Sequence, residues 1–167
     1  ADHLEQDLVQ SRPISALNVL AALYHDIGKP ECQEVMADGK IRFLNHEIVG
    51  AKMAVKRAAD LQLSNAEIKH LEIIVRNHMR PLWLAQSGEK PSRRAIFRFF
   101  RDTQAAGVDI CLLSLADTLG TYGHTLPPDT WKHLVDVVRT LLEAWWEHKA
   151  EQISPPPLID GNDLMRK

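Results

Sequence analysis

The run Leu20-Ala21-Ala22-Leu23-Tyr24-His25-Asp26-Ile27-Gly28-Lys29-Pro30 limits what this chain can fold into more than any other stretch. Apolar residues recur at helical spacing from Ile14 to Tyr24, which predicts a helix there. That helix must also stop, because Gly28 can leave the helical conformation and Pro30 cannot continue it. An imidazole and a carboxylate, His25 and Asp26, are therefore delivered side by side at a helix C-terminus, where both can turn toward one cation. Neutral imidazole with carboxylate suits borderline and hard divalent ions, Mg, Mn, Fe, Ni or Co, better than ions that prefer thiolates.

Almost all of the remaining sequence also reads as helix. Asp38-Gly39 marks a turn inside Glu31–Phe43, predicting a short hairpin or an ordered loop. A helix with Asn45 as its cap fits Glu47–Leu61. Ser64 followed by Glu67 forms a capping box for a helix over Asn65–Met79, which Arg80-Pro81 should end. Further helices fit Ser92–Thr103, Val108–Thr121 and, after Pro127-Pro128-Asp129, Thr130–Gln152. The expected class is an all-α bundle over residues 1–153. Ser154-Pro155-Pro156-Pro157 then reads as a linker opening a truncated following segment, 154–167.

At 167 residues, 45% apolar and with a formal net charge of -2, the chain can bury the core of one globular domain. That balance argues against holding nucleic acid by bulk charge alone, while leaving room for a local basic patch. Two cysteines, no signal-peptide pattern and no apolar run long enough for a bilayer predict a reduced, cytoplasmic domain with no membrane partner. Ala1 at the start, with no initiator Met, and a tail resembling the beginning of another helix make it read as a piece of a longer protein.

Beyond the His-Asp pair, three residues at separate helical positions could complete a metal site. Asp117 lies in the apolar run Ile110–Gly120, and a buried Asp is costly unless paired or bound to a cation. His46 opens one helix, where Gly50 and Ala51 permit close approach of another backbone, and His78 closes another. A surface imidazole is the ordinary state of such a His, but helix ends can reach a shared cleft. His25, Asp26, His46, His78 and Asp117 could hold two cations with one carboxylate bridging, an arrangement suited to phosphate-ester hydrolysis. Lys29 and Arg80 are candidates for contacting a substrate phosphate, Lys29 as a point charge and Arg80 as a bidentate donor. Each could equally be a solvated cation. Arg94, Arg98 and Arg101 share one helix face, with Ile96, Phe99 and Phe100 able to point inward. That face is either solvated or a contact for RNA phosphates. His3, His70, His124, His133 and His148 lack comparable context, and Trp145-Trp146 are expected to pack the last helix.

HDIGK, NHEIVGA, NHMRP and LADTLGT, in that order, resemble the HD superfamily of metal-dependent phosphohydrolases. More narrowly the chain is similar to the HD domain of bacterial tRNA nucleotidyltransferases and poly(A) polymerases, and PLIDGNDLM is similar to the segment that follows it there. The resemblance implies an all-helical fold, His25, Asp26 and Asp117 as central metal ligands, and His46 and His78 as ligands of the two-metal members. Asp26 and Lys29 are the expected catalytic groups. It also implies phosphatase, 2'-nucleotidase and 2',3'-cyclic phosphodiesterase activity on nucleotide or RNA termini, with tRNA reached through the longer protein. Two departures stand out. The family has a His upstream of the His-Asp pair, and here only His3 precedes it, separated by Ser11-Arg12-Pro13. The paired polymerase carboxylates are missing, so this segment should not add nucleotides to tRNA. The alternatives to a phosphohydrolase domain within a tRNA-processing protein are a catalytically silent helical module that orients RNA, and a freestanding nucleotide or cyclic-dinucleotide phosphodiesterase.

Overall fold

A computed structural model describes residues 2–9 and 12–154. The prolines expected to form the linker, and everything after them, lie outside the described residues. Helix α1 (Asp2–Glu5) leads into a short antiparallel pair, β1 (Asp7–Val9) and β2 (Arg12–Pro13), and then into α2 (Ile14–Tyr24). A second antiparallel pair follows, β3 (Gln33–Val35) and β4 (Ile41–Phe43), in register Gln33↔Phe43, Glu34↔Arg42 and Val35↔Ile41. The rest is helical: α3 (His46–Asp60), α4 (Asn65–Asn77), α5 (Arg80–Ala85), α6 (Arg93–Thr103), α7 (Ala106–Tyr122) and α8 (Pro128–Trp146). The fold is the expected all-α bundle, with the hairpin turning at Gly39, whose φ of 80° only glycine adopts without strain.

Several helix ends differ from the expected ones. Asn45 does precede α3, but it sits at φ 63° and its side chain caps nothing. Pro81 does not end α4; that helix stops at Asn77, with His78 as its C-cap, and Pro81 lies in the first turn of α5, where its missing N–H costs nothing. Helix α8 starts at Pro128 and ends at Trp146, and a π-turn at Lys149–Ile153 replaces its expected last turn. The Ser64 capping box forms, each partner accepting the other's backbone N–H. Arg12 reaches the far oxygen of the same Glu67 at 2.9 Å, tying β2 to α4.

Phe99 and Phe100 of α6 are buried, and Phe100 stacks on Trp145 with ring centroids 5.1 Å apart. Only Trp145 of the tryptophan pair packs inward; Trp146 is 58% exposed. Helices α2, α4 and α7 pack on one another around Leu17, Ala21, Leu71, Ile74 and Ile110. These three helices carry the polar residues that matter. At the end of α2 the expected reason for Gly28 does not hold, since its φ is not positive. A Cβ at Gly28 would instead collide with the His46 carbonyl oxygen and lie 2.6 Å from the Gly50 nitrogen. Gly28 and Gly50 let the end of α2 touch the start of α3, bringing His25 and Asp26 up to His46.

Candidate metal centre

Five side chains from three helix ends and one helix face converge. His25 is the C-cap of α2 with Asp26 beside it, His46 begins α3, His78 caps α4, and Asp117 faces the cleft from the last two turns of α7. They form two triads that share Asp26: His25, Asp26 and Asp117, and Asp26, His46 and His78. One Asp26 oxygen lies 3.2 Å from His25 Nε2. The other lies 3.3 Å from His46 Nε2 and 3.8 Å from His78 Nε2. Asp117 Oδ1 is 3.3 Å from His25 Nε2.

The backbone decides which face of each imidazole is presented. His25 Nδ1 donates to the carbonyl of Ala22 at 2.8 Å, His46 Nδ1 to Phe43 at 2.8 Å, and His78 Nδ1 to Val75 at 2.7 Å. A neutral imidazole has one N–H, so in that state each Nε2 turns a lone pair into the cleft; His25 reaches it only on losing the proton that Asp117 and Asp26 favour. His46 Nε2 and His78 Nε2 are only 3.4 Å apart. Two lone pairs at that distance repel unless something positive lies between or beside them. His25 shows the same demand. Asp117 and Asp26 raise its pKa to about 10 against the pull of burial, yet Nε2 has no hydrogen-bond partner. Burial works against ionisation of Asp26, but His25 and Lys29 hold its carboxyl well below the usual range. His25 likewise holds Asp117 down, while burial depresses His78.

This donor set fits a divalent cation. With metal–ligand bonds of about 2.0–2.2 Å, neighbouring ligand atoms lie roughly 3.0–3.5 Å apart, close to the separations here. Three imidazole lone pairs and two ionised carboxylates, with no sulfur, match the borderline and hard ions expected from the sequence. The Nδ1 bonds to main-chain carbonyls are the outer contacts that orient metal-binding histidines.

The cleft opens into a cavity of about 680 Å³, bounded by the β3–β4 hairpin on one side and by α5, α7 and α8 on the other. Lys29 lines it and pairs with Asp26, with its ammonium 5.7 Å from the Phe43 ring centre. Arg80 does not line it, contrary to the sequence expectation. Its guanidinium turns to Asp102 at 3.1 Å and Asn77 at 3.4 Å, over the Phe99 ring. The helix break at His78 sends residues 78 and 80 to different sides. Arg94 and Arg98 are exposed on α6 without an ion pair among the described residues, whereas Arg101 is held by Asp102 at 2.8 Å. Arg42 and His133, which the sequence did not single out, do line the cavity.

A second polar cluster has no counterpart in the sequence reading. The fully buried aspartate of α7 is Asp109, with no exposure; Asp117 retains 22%, so burial cost applies to the other residue. Asp109 accepts from His3 at 2.9 Å, Asn18 at 2.7 Å and His70 at 2.8 Å. These bonds hold its carboxyl below the usual range although burial opposes ionisation. His3, the one histidine upstream of the His-Asp pair, is thus engaged away from the cleft. One signal was available: Asn18 and Asp26, His70 and His78, and Asp109 and Asp117 are each eight residues apart, the i, i+4, i+8 stripe of a helix.

No helix among the described residues is long and apolar enough to cross a membrane. The chain is 30% identical over 147 residues to the CC-adding tRNA nucleotidyltransferase of Thermus thermophilus, covering 87% of this chain and 30% of that protein. It is 28% identical over 146 residues to the A-adding tRNA nucleotidyltransferase of Deinococcus radiodurans, covering 87% and 31%. The chain therefore spans about three tenths of the length of these relatives. The HD domain family model matches residues 13–120. Since that segment contains all five converging residues, the similarity reaches the cleft as well as the helices around it, and the chain belongs to the HD domain family.

Proposed function

We propose that this domain is a metal-dependent phosphohydrolase acting on a terminal phosphate ester of a nucleotide or RNA, either a phosphomonoester or a 2',3'-cyclic phosphodiester. The observation that carries it is the pair of facing Nε2 lone pairs on His46 and His78, 3.4 Å apart beside an ionised Asp26. Such a site calls for positive charge. His25, Asp26 and Asp117 would hold one cation, and Asp26, His46 and His78 a second, drawn from Mg, Mn, Ni, Co or Fe. Cations there supply Lewis acidity toward a phosphoryl oxygen and a nucleophilic water at neutral pH.

The chain's own groups do the rest. Asp26 presents one oxygen to each triad and so fixes their separation. Lys29, paired with Asp26 at the cavity wall, places an ammonium beside the position of the phosphate. The names of the two relatives support an RNA context, and we assign tRNA contact to the exposed Arg94 and Arg98, with Arg101 adjoining, in a longer cytoplasmic protein.

Purified protein should release phosphate from a generic phosphomonoester, or open a 2',3'-cyclic nucleotide, when a divalent ion is added and not in chelator. Turnover that persists in chelator overturns the mechanism. An absence of turnover with every one of the five ions, in protein shown to bind them, favours the RNA-orienting alternative.

A further inference from the structure

The cavity is larger than one phosphate needs. At about 680 Å³ it is within the range of roughly 300–1,000 Å³ typical of small-molecule sites. Its cationic side chains are not all accounted for by the metal cluster. Lys29 is committed to Asp26. Arg42, on the hairpin wall, forms no ion pair among the described residues; even Glu34, opposite it in the strand register, is not within reach. His133, on the α8 wall, makes no hydrogen bond or ion pair among the described residues and is half-buried. Its ring lies beside Gly88, where a Cβ would come within 3.4 Å of Cε1. The lining also includes the apolar and aromatic Phe43, Leu82 and Tyr122, with polar Gln86, Thr121 and Thr130 among them.

We propose, building on the phosphohydrolase assignment, that Arg42 and His133 bind a second phosphate of the substrate. The substrate class is then the phosphorylated end of an oligoribonucleotide: the scissile phosphate lies at the cluster, the terminal nucleoside against the apolar lining, and the preceding phosphodiester between Arg42 and His133. A mononucleotide with one phosphate fills only part of this site. Arg42 brings a planar fork suited to two phosphate oxygens, and His133 brings one N–H donor. Neither residue is bonded to any of the five cluster residues, so both are substrate-positioning groups.

The test is calorimetric binding to the full chain, with Mn²⁺ supplied, of adenosine 3',5'-bisphosphate against adenosine 3'-monophosphate. A charge-assisted contact of this kind corresponds to roughly ten- to hundredfold in affinity, and the bisphosphate should bind tighter by that factor. Arg42→Ala and His133→Ala should each shrink the ratio, the double variant should bring it near one, and Arg42→Lys should restore part of it. Affinity for the monophosphate should stay constant throughout, which also reports an intact fold. Equal binding of the two ligands by the unaltered protein overturns the proposal, as does a ratio that survives in the double variant. If Mn²⁺ and each of the other four ions fail to bind, the phosphohydrolase assignment falls and this proposal with it; binding of the ion with no ligand binding overturns the substrate class alone.

Discussion

Helices α2, α4 and α7, with the residues that follow the first two, carry polar side chains into two separate His/Asp clusters, with Asn18 and Asp26, His70 and His78, and Asp109 and Asp117 eight residues apart. Eight helical residues rise about 12 Å, so the clusters are stacked in one three-helix frame, built from the same residue types. Their difference lies in protons. At Asp109 three donors meet one carboxylate that is wholly out of water, and every bond is 2.7–2.9 Å. Both carboxylate oxygens are engaged by N–H groups, while Asn18 Oδ1, a neutral amide oxygen, is left without a partner among the described residues. At Asp26 and Asp117 a backbone carbonyl accepts each histidine's Nδ1–H, so each Nε2 becomes an acceptor among two carboxylates, that of His25 once its second proton leaves. Composition does not separate a structural clasp from a metal site; the carbonyl that receives each Nδ1–H does.

The largest expected effect is on the open cluster. Asp26→Ala should remove phosphate-ester turnover by more than the roughly 10- to 100-fold drop seen when only an outer partner of a metal ligand is removed, with helix content by circular dichroism unchanged. Asp109→Ala should do the reverse. It strands His70 and Asn18 in the core, for which breaking a buried pair costs about 3–5 kcal/mol, read as a lower denaturant midpoint at unchanged slope, while Mn²⁺ binding survives. If Asp109→Ala abolished metal binding at normal stability, the division between clasp and metal site would be wrong.

The two clusters should also answer pH in opposite directions. The folded pKa of Asp109 lies below its ordinary value of 3.8, so its contribution is present above that value and is lost as pH falls through the folded pKa. For His25, raised from 6.5 to about 10, the contribution in metal-free protein is complete below 6.5 and is lost as pH rises through 10. At pH 8 a metal must therefore displace a proton from His25. Calorimetric titration with Mn²⁺ in buffers of different ionisation enthalpy should show about one proton released; release of none would mean that His25 is not a ligand.

Packing at Gly28 offers a finer test. Its missing Cβ is what allows the His25-Asp26 end of α2 to meet His46, and the obstruction is backbone that cannot swing aside. Gly28→Ala should cost about 1–3 kcal/mol by overpacking and weaken Mn²⁺ binding, leaving the Asp109 clasp, and hence its acid-side pH dependence, as before.

Much of the frame is legible in the sequence because helical period, capping box and turn signals are local. Ser64 with Glu67 and Asp38-Gly39 behave as their sequence dictates. The departures have physical causes. Pro81 reads as a terminator, but proline is as much at home in a first turn. Gly28 reads as a conformational glycine, when its role is contact with a helix that the sequence places later. Asp117 reads as the buried acid, because an apolar run does not reveal which of its faces meets the core; Asp109, in the same helix, holds that position. Arg42 and His133 are invisible for a related reason: each gains its meaning from a wall formed by a distant element.

The smallest effect concerns charge that neither cluster controls. Arg94 and Arg98 are exposed on α6 with no ion pair among the described residues, while Arg101 lies on the same helix but is already neutralised by Asp102. An arginine that must first leave a carboxylate gains less from a phosphate. Replacing Arg94 and Arg98 by Ala should therefore lower the slope of log affinity for tRNA against log salt by about 0.9 for each duplex phosphate released, or about 0.7 on a single strand. Arg101→Ala should change it by less. The weakening should be alike for different tRNA sequences, since phosphate contacts carry no base information, and Mn²⁺ binding should not move. A slope unchanged in the Arg94/Arg98 double variant would leave this face as a solvated helix surface, and RNA would have to reach the cleft by the Arg42 and His133 walls alone.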